Sequence, residues 1–178
     1  MKEDDLTNSL IQNEENRAEN EENRETIDLK IETEAHYNNY GSRGYLDLYI
    51  QKTTDRRKTE GHMYNIKSNP DSANAVIRQC RKEISNFFKH RRYPNHCHFE
   101  LCFLPSRENF EHILENKPMY RSLREDNTIV TFRHPDDISP IHIFTSEFEI
   151  GDEKWNEYAT RTGKLEFDPG DITEGGTK

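Results

Sequence analysis

Two alternating stretches joined by a glycine-bearing turn constrain this chain more than any other feature. Ile27, Leu29, Ile31, Thr33 and Ala35 alternate with Asp28, Lys30, Glu32 and Glu34, a period of two that predicts a strand with one apolar face. NNYGSRG (38–44) reads as a turn. Residues 45–51 then alternate again, with Leu46, Leu48 and Ile50 on one face and Tyr45, Asp47 and Tyr49 on the other. After a polar loop (52–61), a third short strand is expected over 62–68. Asp71 or Ser72 then caps the best amphipathic helix in the chain, in which Ala73, Val76, Ile77, Cys80, Ile84, Phe87 and Phe88 recur at helical spacing. Cys80, Ile84 and Phe88 are expected to be buried against the sheet. A strand over 96–104, a helix over 107–116 capped by Ser106, and strands at 127–134 and 141–147 complete the order. A hairpin followed by a crossover helix predicts an α/β fold, a mixed central β-sheet flanked by helices.

Composition divides the chain. Hydrophobic residues are 31%, charged residues 33% and mean hydropathy −1.14, too thin for every residue to share one core. Residues 1–25 carry three Lys/Arg against nine Asp/Glu. They read as an acidic polar arm, helical or disordered, in which only Leu6, Leu10 and Ile11 offer a stripe. Residues 26–150 read as the compact α/β domain. Residues 151–178 read as a polar C-terminal extension, fraying from about 168. There is no run of eighteen apolar residues, so no transmembrane helix is expected. MKEDDLTNSL lacks the apolar segment of a secretory signal, and Cys80, Cys97 and Cys102 cannot make a disulfide framework; together these point to the cytoplasm. The net charge of −9 argues against a nucleic-acid partner, but it is unevenly spread. Arg78, Arg81, Lys82, Lys89, Arg91 and Arg92 face only Glu83 within 78–92. This stretch is either a solvated helix face or a contact to a phosphate backbone, which needs no base readout.

Three polar residues stand where strand logic gathers them. Asp47 lies in the second strand, and Asn65 and Lys67 lie two apart in the third, hence on one face, with Tyr64 and Ile66 on the other. A carboxylate beside a lysine on the next strand suits phosphodiester hydrolysis: the carboxylate holds Mg²⁺, and the ammonium orients water or meets developing charge. Each residue alone has a plainer reading, Asp47 and Lys67 as surface side chains and Gln79 as a helix-edge residue.

Taken together, GSRGYLDLYI, MYNIKS and ANAVIRQCRKEI resemble the core of the PD-(D/E)xK nuclease superfamily, the restriction-endonuclease-like fold. The resemblance covers roughly 26–104. It implies Asp47 as the metal-binding acid, Lys67 as the catalytic lysine and Gln79 as the glutamine of the following helix, with Mg²⁺ or Mn²⁺ as cofactor and nucleic acid, DNA first, as partner. The family's second acid falls on Asn65, a neutral and weaker ligand. Register suggests a replacement independently of the family. Pairing Ala35 with Leu46 buries both apolar sets together and sets Glu34 opposite Asp47.

His96, His98 and Cys102 share one strand face, but their spacing fits no standard zinc pattern, and Cys97, Phe99, Leu101 and Phe103 read as core. The reading is therefore a metal-dependent nuclease, impaired or not by Asn65. The alternative is a catalytically inactive nuclease-fold protein that binds DNA or a protein partner, including a second copy of itself. A small regulatory protein is the third class.

Overall fold

The computed structural model describes residues 2–20, 26–39, 42–54, 58–90 and 96–172. Among these residues six strands form one sheet in sequential order: β1 (Thr26–Asn39), β2 (Ser42–Thr54), β3 (Thr59–Lys67), β4 (His96–Phe103), β5 (Thr128–His134) and β6 (Asp137–His142). β1, β2 and β3 pair antiparallel; β3, β4 and β5 pair parallel; β6 returns antiparallel. The helices are α1 (Glu3–Asn20), α2 (Ala73–His90), α3 (Arg107–Glu115), α4 (Lys117–Arg121) and α5 (Glu153–Thr162). Two parallel pairings need two crossovers. α2 makes the first, and α3 with α4 and a short 3₁₀ turn makes the second. The expected α/β architecture, a mixed sheet flanked by helices, is the architecture found.

Local chemistry fixes the elements. Ser72 caps α2, its hydroxyl accepting the Ala75 amide at 3.2 Å, and Ser106 caps α3 through the Asn109 amide at 3.1 Å. β1 and β2 keep the register read from alternation, Thr33 against Leu48 and Ala35 against Leu46. The hairpin is tighter than NNYGSRG implies: β1 runs to Asn39 and β2 begins at Ser42. The last strand is DISPIH rather than IHIFTSE.

Each face of the sheet has its own core. On one, Val76, Ile77 and Cys80 of α2 pack with Leu101, Phe103, Val130 and Phe132 of the central strands and with Phe110 and Trp155. On the other, Leu6 and Leu10 of α1 meet Leu48, Ile50, Tyr64, Ile66 and Cys102. β4 is thus covered on both sides, as a central parallel strand should be.

The structure differs from the sequence reading at both ends. Leu6 is fully buried, so α1 is a docked layer of the fold, and two leucines on one stripe suffice because the sheet supplies the rest of that core. Residues 151–172, read as an extension, also join the core. Trp155 and Ala159 are fully buried and Ile172 nearly so, with the Trp155 indole donating to the His142 carbonyl at 2.8 Å. Three apolar anchors spaced along a polar sequence are invisible to a composition average. Arg91, Arg92 and the side chains of Phe88 and Lys89 lie outside the described residues.

Candidate active site

β2 and β3 place the acids and the lysine. Their pairing runs Leu48 against Tyr64, which sets Asp47 beside Asn65 at the end of β3 that leads into α2. Leu48 and Tyr64 point to α1, so Asp47, Asn65 and Lys67 point to α2, where Met63 and Tyr49 of the same face pack with Ile84. Asp47 Oδ2 accepts the Ile66 amide at 2.8 Å, which anchors the carboxylate between the two strands. Lys67 Nζ lies 3.5 Å from Gln79 Oε1 of α2. The Gln79 amide in turn donates to Glu83 Oε1 at 2.8 Å. Asn65, only 6% exposed, lies within hydrogen-bonding reach of both Glu83 and the Cys80 thiol. Asp47, Asn65, Lys67, Gln79 and Glu83 therefore form one connected polar cluster between sheet and helix.

Glu83 is the residue that sequence reasoning passed over. It is as buried as Asn65, and burial above all, with the Asp47 charge behind it, pushes its carboxyl up to about 7 against the restraint of the Gln79 hydrogen bond. The signal was present: Glu83 lies seven residues from Val76 and three from Cys80, on the apolar stripe of α2, where a carboxylate is out of place. Its basic neighbours made it look like a surface counter-charge.

A second acid arrives from α1. Glu3 Oε1 accepts both the amide and the hydroxyl of Ser68, at 2.9 and 3.0 Å, one residue beyond Lys67. Its charge reaches Asp47, whose carboxyl is raised by burial first and then by Glu3 and Glu34. Nothing within the first 25 residues signals this role, because it depends on how α1 docks.

Glu34 stands opposite Asp47 in register, flanked by the Thr33–Leu48 and Ala35–Leu46 pairs. It is exposed, and its backbone turns to φ +49, a left-handed conformation costly for a glutamate. It acts on Asp47 through its charge, from outside the buried cluster that holds Glu83.

The donor set suits a hard divalent cation. It is made of oxygens; the Asp47 charge adds to burial in raising the proton affinity of Glu83, and the Lys67 ammonium counters the negative charge at both acids. Such a set fits Mg²⁺ or Mn²⁺ better than a metal that prefers nitrogen or sulfur. Asp47, Glu83 and the amide oxygen of Asn65 are the groups that would hold it.

Of the basic candidates, Arg78 and Lys82 are exposed on α2. Arg81 is committed, pairing with Asp126 at 2.8 Å and donating to Ser122 at 3.0 Å. The three cysteine thiols are poor metal ligands here: burial raises the thiols of Cys80, Cys97 and Cys102, and Cys102 is fully enclosed.

Comparison with protein families agrees with this fold. The family model described as the PD-(D/E)XK nuclease superfamily domain matches residues 1–138, which takes in α1 and every strand into β6. Searches of curated proteins and of solved structures each found no match. The chain belongs to the PD-(D/E)XK nuclease superfamily.

Proposed function

We infer that this PD-(D/E)XK superfamily member hydrolyses phosphodiester bonds of nucleic acid, DNA first, with the acid missing at position 65 supplied from α2 by Glu83. The observation that carries this reading is the chain of contacts from Lys67 through Gln79 to Glu83 beside Asp47. Asp47 and Glu83 would hold Mg²⁺ or Mn²⁺, which when bound polarises the scissile phosphate and lowers the proton affinity of a bound water. Lys67 orients the attacking water and meets charge developing on the phosphate. Gln79 keeps the lysine in place and the Glu83 carboxylate aimed. Glu3 adds negative charge from the opposite side and ties α1 to the strand that carries Lys67. Arg78 and Lys82 on the same helix offer phosphate contacts with no sequence readout. No described helix is long and apolar enough to cross a membrane.

The second reading, a nuclease fold that binds without cutting, draws on Asn65, whose amide is already engaged by Glu83 and Cys80. Cleavage of supercoiled plasmid and of single-stranded DNA over a Mg²⁺ and a Mn²⁺ series separates the two. Metal-dependent nicking by wild type that disappears in Asp47→Ala supports the nuclease. Tight, salt-sensitive binding with no cleavage under either metal, by wild type and by Asn65→Glu, would establish the binding module instead.

A further inference from the structure

We propose that Glu60, His62 and His98 form a second metal site, on the α1 face of the sheet, that binds a divalent transition cation of the Zn²⁺ type. The inference does not rest on nuclease activity. It begins with strand geometry. Glu60 and His62 lie two apart on β3 and share a face with Tyr64, away from Asn65 and Lys67. The parallel register of β3 and β4 sets His98 directly beside His62. The outcome is a carboxylate and two imidazoles whose ligand atoms all lie within 4.8 Å of one another. His98 Nε2 is 2.7 Å from Glu60 Oε1, and His62 Nε2 is 3.8 Å from the same oxygen. The two rings stack at 4.8 Å between centroids and 17° between planes.

Two imidazole nitrogens and one carboxylate oxygen favour Zn²⁺, Co²⁺ or Ni²⁺ over Mg²⁺. The sequence alone suggested a different set. His96 is exposed and Cys102 is enclosed in the core, whereas His62 and Glu60 reach His98 only across the β3–β4 pairing. The nearby Lys52 ammonium does not repel a cation at full strength, because Glu14 of α1 pairs with it at 2.6 Å. His98 is half-exposed, so it can turn out of the stack to bring its lone pair onto the metal. His62 and His98 line a pocket of about 490 Å³ together with Glu14, Lys52, Tyr64 and Arg133, which leaves room for a fourth ligand, water or a small anion, on the histidine side of the site. Three protein ligands with an open fourth position is the arrangement of zinc sites that do chemistry rather than only hold structure.

The test is Zn²⁺ titration of the full chain against a chromogenic chelator, with 10 mM-scale Mg²⁺ present to fill the acidic cluster. One equivalent of Zn²⁺ is expected to bind wild type. Each of His62→Gln, His98→Ala and Glu60→Gln should weaken that binding at least about tenfold, since losing even a group that only supports a ligand costs about 10–100-fold. Asp47→Asn and Cys97→Ser should bind as wild type does. His98 is exposed enough that its variant will fold, which a melting curve without metal confirms. A second readout needs no variant: Zn²⁺ should shift the imidazole ¹⁵N resonances of His62 and His98 and leave those of His112 in place. Absence of stoichiometric binding, binding that survives in the His62→Gln, His98→Ala double variant, or binding lost in Asp47→Asn would overturn the proposal.

Discussion

Glu83→Gln should stabilise the metal-free protein, and by an amount that depends on pH. The ordinary carboxyl value of 4.5 is raised to about 7 in the fold. Between those two values the folded chain binds a proton that the unfolded chain has released, so wild-type stability falls as pH rises through that window. At about 1.36 kcal/mol per pKa unit the full fall is about 3 kcal/mol. Glutamine keeps the shape and, with its carbonyl toward Gln79, keeps the 2.8 Å hydrogen bond, but carries no charge to bury. The variant should therefore match wild type near pH 4.5 and exceed it by up to about 3 kcal/mol at pH 8. Urea unfolding in the presence of a chelator measures this directly, with the single, fully buried Trp155 as the fluorescence probe. With a slope of about 1–3 kcal/mol/M, the midpoint at pH 8 should rise by about 1 M or more. Saturating Mg²⁺ should shrink the gap, since a bound cation removes the penalty from the wild-type carboxylate. A stability difference that is the same at pH 5 and pH 8, or a variant weaker than wild type at pH 8, would refute the reasoning.

Leu6→Ala should cost about 2–5 kcal/mol, because Leu6 is fully buried in the second core; hydrogen exchange at the Ser68 amide should rise with it, since Glu3 is then free to leave. DNA binding should weaken with salt, and Arg78→Ala with Lys82→Ala should flatten the log–log slope by about 2, whereas Arg81→Ala, already paired with Asp126, should change it by less than 1. Fluorescence anisotropy over a salt series gives all three slopes. Gly151→Ala should destabilise the protein by about 1 kcal/mol or more in the same urea assay, because Gly151 holds φ +94 and a Cβ there would meet Leu114 Cδ1 at 2.7 Å.

The sheet was legible because its apolar face alternates with period two, and that period excludes every register that would put the two apolar sets on opposite faces. Ala35 opposite Leu46 followed from burying both sets together, and the same arithmetic put Asp47, Asn65 and Lys67 on one face. Two kinds of information were not local. Glu83 was masked by its neighbours: the chain spells a basic stretch, and only the helical period shows that this one acid points inward. Glu3 was masked by distance, since 65 residues separate it from Ser68 and the contact exists only once Leu6 and Leu10 have docked. Glu34 shows the opposite case. Its register position was read correctly, but register does not report depth, and the side chain stays in solvent. The C-terminal segment was misjudged for a related reason: a few anchors such as Trp155 and Ile172 decide whether a polar segment docks, and an average over twenty-eight residues dilutes them.

The claim that matters most is that Glu83 replaces the acid absent from position 65, and moving the charge back tests it. Plasmid nicking would be measured under saturating Mg²⁺ or Mn²⁺ for wild type, Glu83→Gln, and the double variant Asn65→Glu with Glu83→Gln. The account predicts that Glu83→Gln lowers the rate at least about a hundredfold, the scale of losing a group that stabilises the transition state, and that the double variant recovers much of it. Wild-type nicking that Glu83→Gln leaves unchanged would contradict the account.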